Sequence, residues 1–386
     1  MRFVYLDYNA TTPLHPQVLE AFISCSRNRF GNPSSIHGAG RESRAALESA
    51  RDQVARFSGC DPSEVIFTSG GTEADNLAIQ GVAAASIRRG RHIVTTSVEH
   101  PAVLASCLNL EQNGYDITRL TVDRLGRIDL ALLEAAITPE TILISAMWAN
   151  NETGVIFPVA DIGAIAARRR IPFHCDAVQA AGWLPLDCRA LGIGLLTLSG
   201  HKIHAPKGVG ALIARKGVRL RPILHGGAQE RNRRAGTENL PAIVAFGLAC
   251  ELAAAAQAEA SDRVRMLRDR LEAGILALCP GAVVNGDPAE RLPNTVNISF
   301  AGTRVDSLLA SLDLQGVAAS SGAACSSGTV RHSPVLAAMG ISPETAGGSV
   351  RFSLGRETTG EDVGYVLEIL PAILERLCQR GAPGSA

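Results

Sequence analysis

The sequence predicts an α/β fold: a large domain with a mainly parallel sheet between helices, and a smaller α/β domain beside it. Three observations point there. Short apolar runs at 65–68, 93–96, 142–147, 173–175 and 195–198 alternate with helix-like stretches, the pattern of parallel strands joined by crossover helices. From Leu240 to Leu278 the chain is rich in Ala, Leu and Glu with few breakers, so one long helix, or two joined ones, is expected to bridge the domains. Beyond it the alternation restarts, with strand-like Thr295 to Phe300, helix-like Val305 to Leu312, strand-like Val350 to Leu354 and helix-like Glu361 to Leu377.

Taken in order, Gly31 to Ser35 is a Gly-, Asn-, Pro- and Ser-rich loop that resists regular structure, and Ala39 to Phe57 alternates apolar and charged residues at helical spacing. The strands and helices of the large domain follow. We expect that domain to span 16–259, with 1–15 and 260–386 forming the small one; the terminal RGAPGSA has no means of joining a core.

Composition bounds the function. The 386 residues are 46% hydrophobic and 19% charged, the balance of a globular enzyme, and Lys plus Arg equals Asp plus Glu at 37 each. Such neutrality supplies no field to draw in nucleic acid or an anionic membrane, so neither is an expected partner. Nine cysteines lack CxxC pairs and are odd in number, which argues against a zinc cluster, any other metal site or a disulfide framework, and fits a reducing cytoplasm. Asp7 interrupts the first apolar stretch too early for a signal peptide, and no segment reads as long enough to cross a bilayer.

Chemistry-bearing residues gather at the ends of the apolar runs. SGHK, Ser199 to Lys202, puts a lysine directly after one strand; it is either a surface charge or a Schiff-base lysine. Asp176 in HCDAVQ follows another strand, as a helix N-cap or as the buried carboxylate that keeps a pyridine nitrogen protonated. Gly70, Gly71 and Thr72 open a helix after a third, as a plain cap or as free N–H donors for a phosphate. An acid, a lysine and a glycine-opened helix at strand carboxyl ends describe a pyridoxal phosphate site.

The motifs YLDYNATTP (from Tyr5), FTSGGTEADNLAI, SVEHPAV, NNETGV, HCDAVQ, SGHK, RRAGTEN, SSGAACSSG and RFSLGRETT (from Arg351) occur in the order found in cysteine desulfurases of the NifS/IscS type. The chain resembles that group, within the class V aminotransferase-like family of fold type I pyridoxal phosphate enzymes, over nearly its whole length. The resemblance implies that Ser199 and His201 join Gly71 and Thr72 on the phosphate, with Thr237 reaching in from the partner of a homodimer. It implies Gln179 on the cofactor's phenolic oxygen, His100 over its ring, and Arg351 with Asn151 on the substrate carboxylate. Arg356 reads instead as an arginine on a surface turn.

Cys325 separates reaction types. Its setting of Gly and Ser suits a mobile polar loop, whereas a structural cysteine would sit among apolar residues. By resemblance it takes sulfur from L-cysteine, leaving L-alanine, and hands it to an acceptor such as an iron-sulfur cluster scaffold. An aminotransferase or C–S lyase on the same scaffold, and a non-enzymatic binding platform, are the alternatives; Cys325 argues against the first and Lys202 against the second. One departure from the family is His204 and Ala205, where an aromatic and a glycine are usual, which leads us to expect a shifted turn below Lys202.

Overall fold

The computed structural model describes residues 2–322 and 333–381. Its centre is a seven-stranded sheet of β1 (Val65–Thr68), β2 (His92–Thr96), β3 (Asp116–Leu120), β4 (Thr141–Ser145), β5 (Phe173–Asp176), β6 (Leu195–Ser199) and β7 (Gly210–Ala214). The strand order is β1-β7-β6-β5-β4-β2-β3, with β7 antiparallel to both neighbours and the other pairings parallel. All but β3 are buried along their whole length, as expected for strands covered by helices on both faces.

Helices α1 (Pro16–Asn28), α2 (Gly38–Ser58), α3 (Gly71–Ser86) and α4 (Pro101–Gln112) belong to this half of the molecule. A second sheet is built from β8 (Ala282–Asn285), β9 (Thr295–Phe300) and β10 (Ser349–Ser353), all antiparallel, and Val4–Tyr5 pairs in parallel with Val317–Ala318. The strands read from sequence agree with the observed ones to within a residue or two at each end; β3, β7, β8 and the short Val4–Tyr5 and Val317–Ala318 strands were not anticipated.

The predicted run from Leu240 is one helix, α5 (Leu240–Leu278), of 39 residues and so about 58 Å long. Its first half buries Leu240, Phe246 and Cys250 in the core around the large sheet, while Val264, Leu271 and Ile275 enter a second core with Val296, Phe352 and Leu370. Val335 to Ala346 pack on the first core although they follow the second sheet's β9 in sequence. Contrary to the sequence reading, α5 is long and apolar enough to cross a membrane, with mean hydropathy 1.6 over its most apolar window; half of that window is buried inside the protein. The final helix, α6, spans Gly360–Gly381.

Candidate active site

A cavity of about 500 Å³ opens where the carboxyl ends of β1, β2, β4, β5 and β6 converge. It is lined by ten of the residues named from sequence: Gly71, Thr72, His100, Asn151, Asp176, Gln179, Ser199, His201, Lys202 and Arg351. Thr237 is exposed and does not line it. Cys325 lies outside the described residues. On either side of that gap, Gly322 packs against Glu152, which also accepts a hydrogen bond from Ser333 Oγ.

α3 begins at the cavity wall because the chain leaving β1 turns at Gly70, the helix's N-cap, whose φ of 152° a larger residue rarely adopts. Gly210 on β7 lies so close that a Cβ there would fall 2.8 Å from Gly70 Cα. No side chain caps the helix, which leaves its first N–H groups and the positive end of its dipole for a ligand. Ser199 and His201 flank the same end, with the His201 ring pulled down to about 4 by burial and by Lys202, and therefore neutral.

Lys202 follows β6 on a single 3₁₀ turn. Its Nζ donates to the carbonyls of Asn9 and Ala10, the latter at 2.7 Å. Burial, and then the Arg351 guanidinium, pull its pKa down to about 8. Ala205 takes an ordinary φ; the left-handed residue of this turn is His204, at 66°, held by Thr12 Oγ1 and the Pro13 carbonyl.

Asp176 closes β5 and accepts from the Val178 N–H at 2.9 Å, but a turn and not a helix follows it, so it is no helix N-cap, and it lines the cavity. Burial, and then a second carboxylate, Asp75, push it up to about 6. Asp75 was missed from sequence. It lies four residues after Gly71, hence on the same face of α3, and that spacing was the available signal. Its Oδ1 is 3.5 Å from His174 Nε2, has no hydrogen-bond partner among the described residues, and burial pushes the group up to about 7. Glu99, behind them, accepts from Thr96 and Met147 and is pushed up to about 8 by burial. His174, between Ser145 and Thr197, is held near 4 by burial and so brings no positive charge.

His100 caps α4 by accepting the Ala102 N–H on Nδ1 at 3.2 Å, which fixes that nitrogen as unprotonated. Gln179 Nε2 donates to the Asn9 carbonyl. Arg351 pairs with Asp7 at 2.6 Å and donates to the Asn151 carbonyl at 2.9 Å, while its buried Nε has no partner among the described residues. Arg356, expected on a surface turn, is instead partly buried beneath the carbonyls of Leu252, Gly182 and Ala253. Asn9 and Asp7, in the quoted YLDYNATTP motif, had received no role.

The aminotransferase class-V family model matches residues 4–366. A cysteine desulfurase of Trichormus azollae is 50% identical over 377 residues, which cover 98% of this chain and 94% of the relative. The chain belongs to the class-V aminotransferase family, in its cysteine desulfurase branch. Among solved structures, a NifS-like protein superposes with a TM-score of 0.92 at 39% identity, covering 97% of this chain and all of that one. The protein SspA in complex with cysteine superposes at 0.82 with 35% identity over 92% of this chain and all of its own. The expected fold type I architecture of this branch is therefore the one observed.

Proposed function

We propose that this protein is a pyridoxal phosphate-dependent cysteine desulfurase, converting L-cysteine to L-alanine and taking the sulfur onto Cys325 as a persulfide. The observation that carries the reading is a half-buried lysine with a pKa pulled down to about 8, in one cavity with two buried carboxylates and an arginine whose Nε has no partner among the described residues. These residues fit the cofactor. Among the described residues Asp75 Oδ1 has no hydrogen-bond partner and Asp176 has no Lys or Arg partner, a lack that a protonated ring nitrogen would fill, and the uncapped α3 terminus with Ser199 and His201 is a phosphate donor set. Gln179 would hold the phenolic oxygen and His100 the ring. When bound, the group supplies an electron sink for the carbanion at the substrate's Cα.

The chain's own residues do the rest. Arg351 and Asn151 orient the α-carboxylate, since a guanidinium fork suits a carboxylate. Lys202, about a tenth neutral at pH 7 with a pKa near 8, removes the Cα proton and later returns one. Cys325 thiolate forms an S–S bond to the substrate sulfur as the C–S bond breaks, and the carbon skeleton leaves as alanine. A sulfur-acceptor protein, such as an iron-sulfur cluster scaffold, then discharges the persulfide. The setting is cytoplasmic.

The active form is a homodimer in which Thr237 completes the partner's phosphate site. Two features support this. Phe30 and Ile36 are 85% and 91% exposed on the loop between α1 and α2, which meets the 228–238 segment at a shared cavity. Within that segment Glu230, Arg231 and Asn232 hold φ of 45°, 58° and 62°, an uncommon run fixed by the buried Arg51–Glu230 pair at 2.7 Å.

The deciding experiment measures alanine and sulfide from L-cysteine with and without reductant, and maps sulfur by mass spectrometry. One extra sulfur on the Cys325 peptide, and loss of sulfide release in Cys325→Ser, are expected. Normal alanine production by Cys325→Ser would replace this reading with a plain C–S lyase.

A further inference from the structure

Seven cysteines fall among the described residues, and two differ from the rest. Cys25, Cys107, Cys175, Cys250 and Cys279 are buried, and burial raises each thiol, which keeps it protonated and unreactive. Cys60 and Cys188, 128 positions apart in sequence, instead lie side by side: the Cys188 S–H reaches the Gly59 carbonyl, on the peptide that precedes Cys60, and the two thiols act on each other's titration.

The backbone holds them there. α2 ends at Ser58, and Gly59 turns left-handed at φ 65° before Cys60, whose N–H bonds the Ala55 carbonyl at 3.0 Å. Cys188 arrives on the segment between β5 and β6, donates its N–H to the Ser58 carbonyl at 3.0 Å and receives the Ile193 N–H. Its Sγ lies 3.8 Å from the Gly59 carbonyl, and a Cβ on Gly59 would fall 2.9 Å from Asp187 Cα, so the two backbones are in contact. Cys60 is partly exposed and Cys188 is 1% exposed. The Cys60 thiol is pushed up, by Cys188 first and by burial second, while the Cys188 thiol is pulled down by Cys60 first, against burial, so Cys188 is the sulfur that more readily becomes a thiolate.

We propose that Cys60 and Cys188 are a redox-active dithiol, a modification site oxidised reversibly to a disulfide by small-molecule disulfides. The chemistry is ordinary exchange. Cys60, the accessible sulfur, passes its proton to the Cys188 thiolate and attacks one sulfur of the oxidant, releasing one small thiol; Cys188 then gives up that proton, attacks the Cys60 sulfur and releases the second. Two protons and two electrons leave with the two small thiols, and the protein gains one S–S bond of about 2.05 Å. The site is independent of the catalytic reading.

The test incubates the full-length, pre-reduced protein with oxidised glutathione, blocks remaining thiols and maps peptides. The expected result is a peptide pair linked through Cys60 and Cys188, an intact chain lighter by two hydrogens, reversal by dithiothreitol, and a higher unfolding temperature in the oxidised form. Cys188→Ser is expected to stop at a stable glutathione adduct on Cys60, and Cys60→Ser to leave position 188 unmodified. Absence of the linked peptide from the parent protein, or a disulfide joining either cysteine elsewhere, overturns the assignment whether or not either variant folds.

Discussion

Lys202 is set for its task by burial first and by the Arg351 guanidinium second, both of which disfavour the ammonium. Only the neutral amine is a nucleophile, so capture of added pyridoxal phosphate by the cofactor-free protein should quicken as pH rises through about 8, well below the range of a free lysine. Borohydride followed by peptide mapping should place the label on Lys202, and Lys202→Ala should lose on the order of 10³-fold or more in turnover. Arg351→Lys keeps the charge but loses the fork, so KM for L-cysteine should rise about 10- to 100-fold, with kcat falling less. A variant whose KM stays put would remove Arg351 from the substrate carboxylate. Asp75 makes a pH prediction with a definite sign. Its folded pKa, about 7, lies above that of an unfolded aspartate, so the folded state holds the extra proton and stability is lost as pH rises from about 4 to about 7. In the cofactor-free protein Asp75→Asn should therefore gain on its parent across that window, by a few kcal/mol at pH 8, and run parallel above it; denaturant unfolding at several pH values measures this.

Helix packing decides the element scale. α5 and α2 approach closely at Gly247, where a Cβ would lie 2.9 Å from Ala50 Cα and 2.3 Å from Gln53 Oε1. The backbone of α2 cannot yield as a side-chain tip does. Gly247→Val should cost about 1–3 kcal/mol in urea unfolding, despite the better intrinsic helix propensity of almost any other residue. An unchanged midpoint would mean that the helices separate freely there. Most elements were legible in the sequence because a buried strand or an amphipathic helix writes its period into the chain, as Val65–Thr68 and Gly38–Ser58 do. β7 was not: GALIA suits helix as well as strand, and its antiparallel direction comes from pairing with β1 and β6. β3 was hidden because it is an edge strand with exposed positions, so its apolar residues are few.

At the scale of the whole molecule, exposed Phe30 and Ile36 beside the segment carrying Thr237 predict an obligate homodimer. Sedimentation at assay concentration should give two chains. Ile36→Asp should shift the protein toward monomer and weaken pyridoxal phosphate binding in parallel, because losing the partner removes Thr237 from the phosphate site. A fully active monomer would sink the arrangement.

The sequence by itself determined the class of fold and most of the site. Strand ends, a glycine-opened helix and a lysine after a strand are local features, and local features are written in order along the chain. Only the tertiary structure decided how the site is charged. Burial lowers Lys202 and raises Asp176, Asp75 sits against His174, and Arg351 shares itself between Asp7 and the cavity; each depends on groups far apart in sequence that meet in a poorly solvated interior. The same holds for Cys60 and Cys188, which show no spacing signature and become a pair only because the end of α2 packs against the segment before β6.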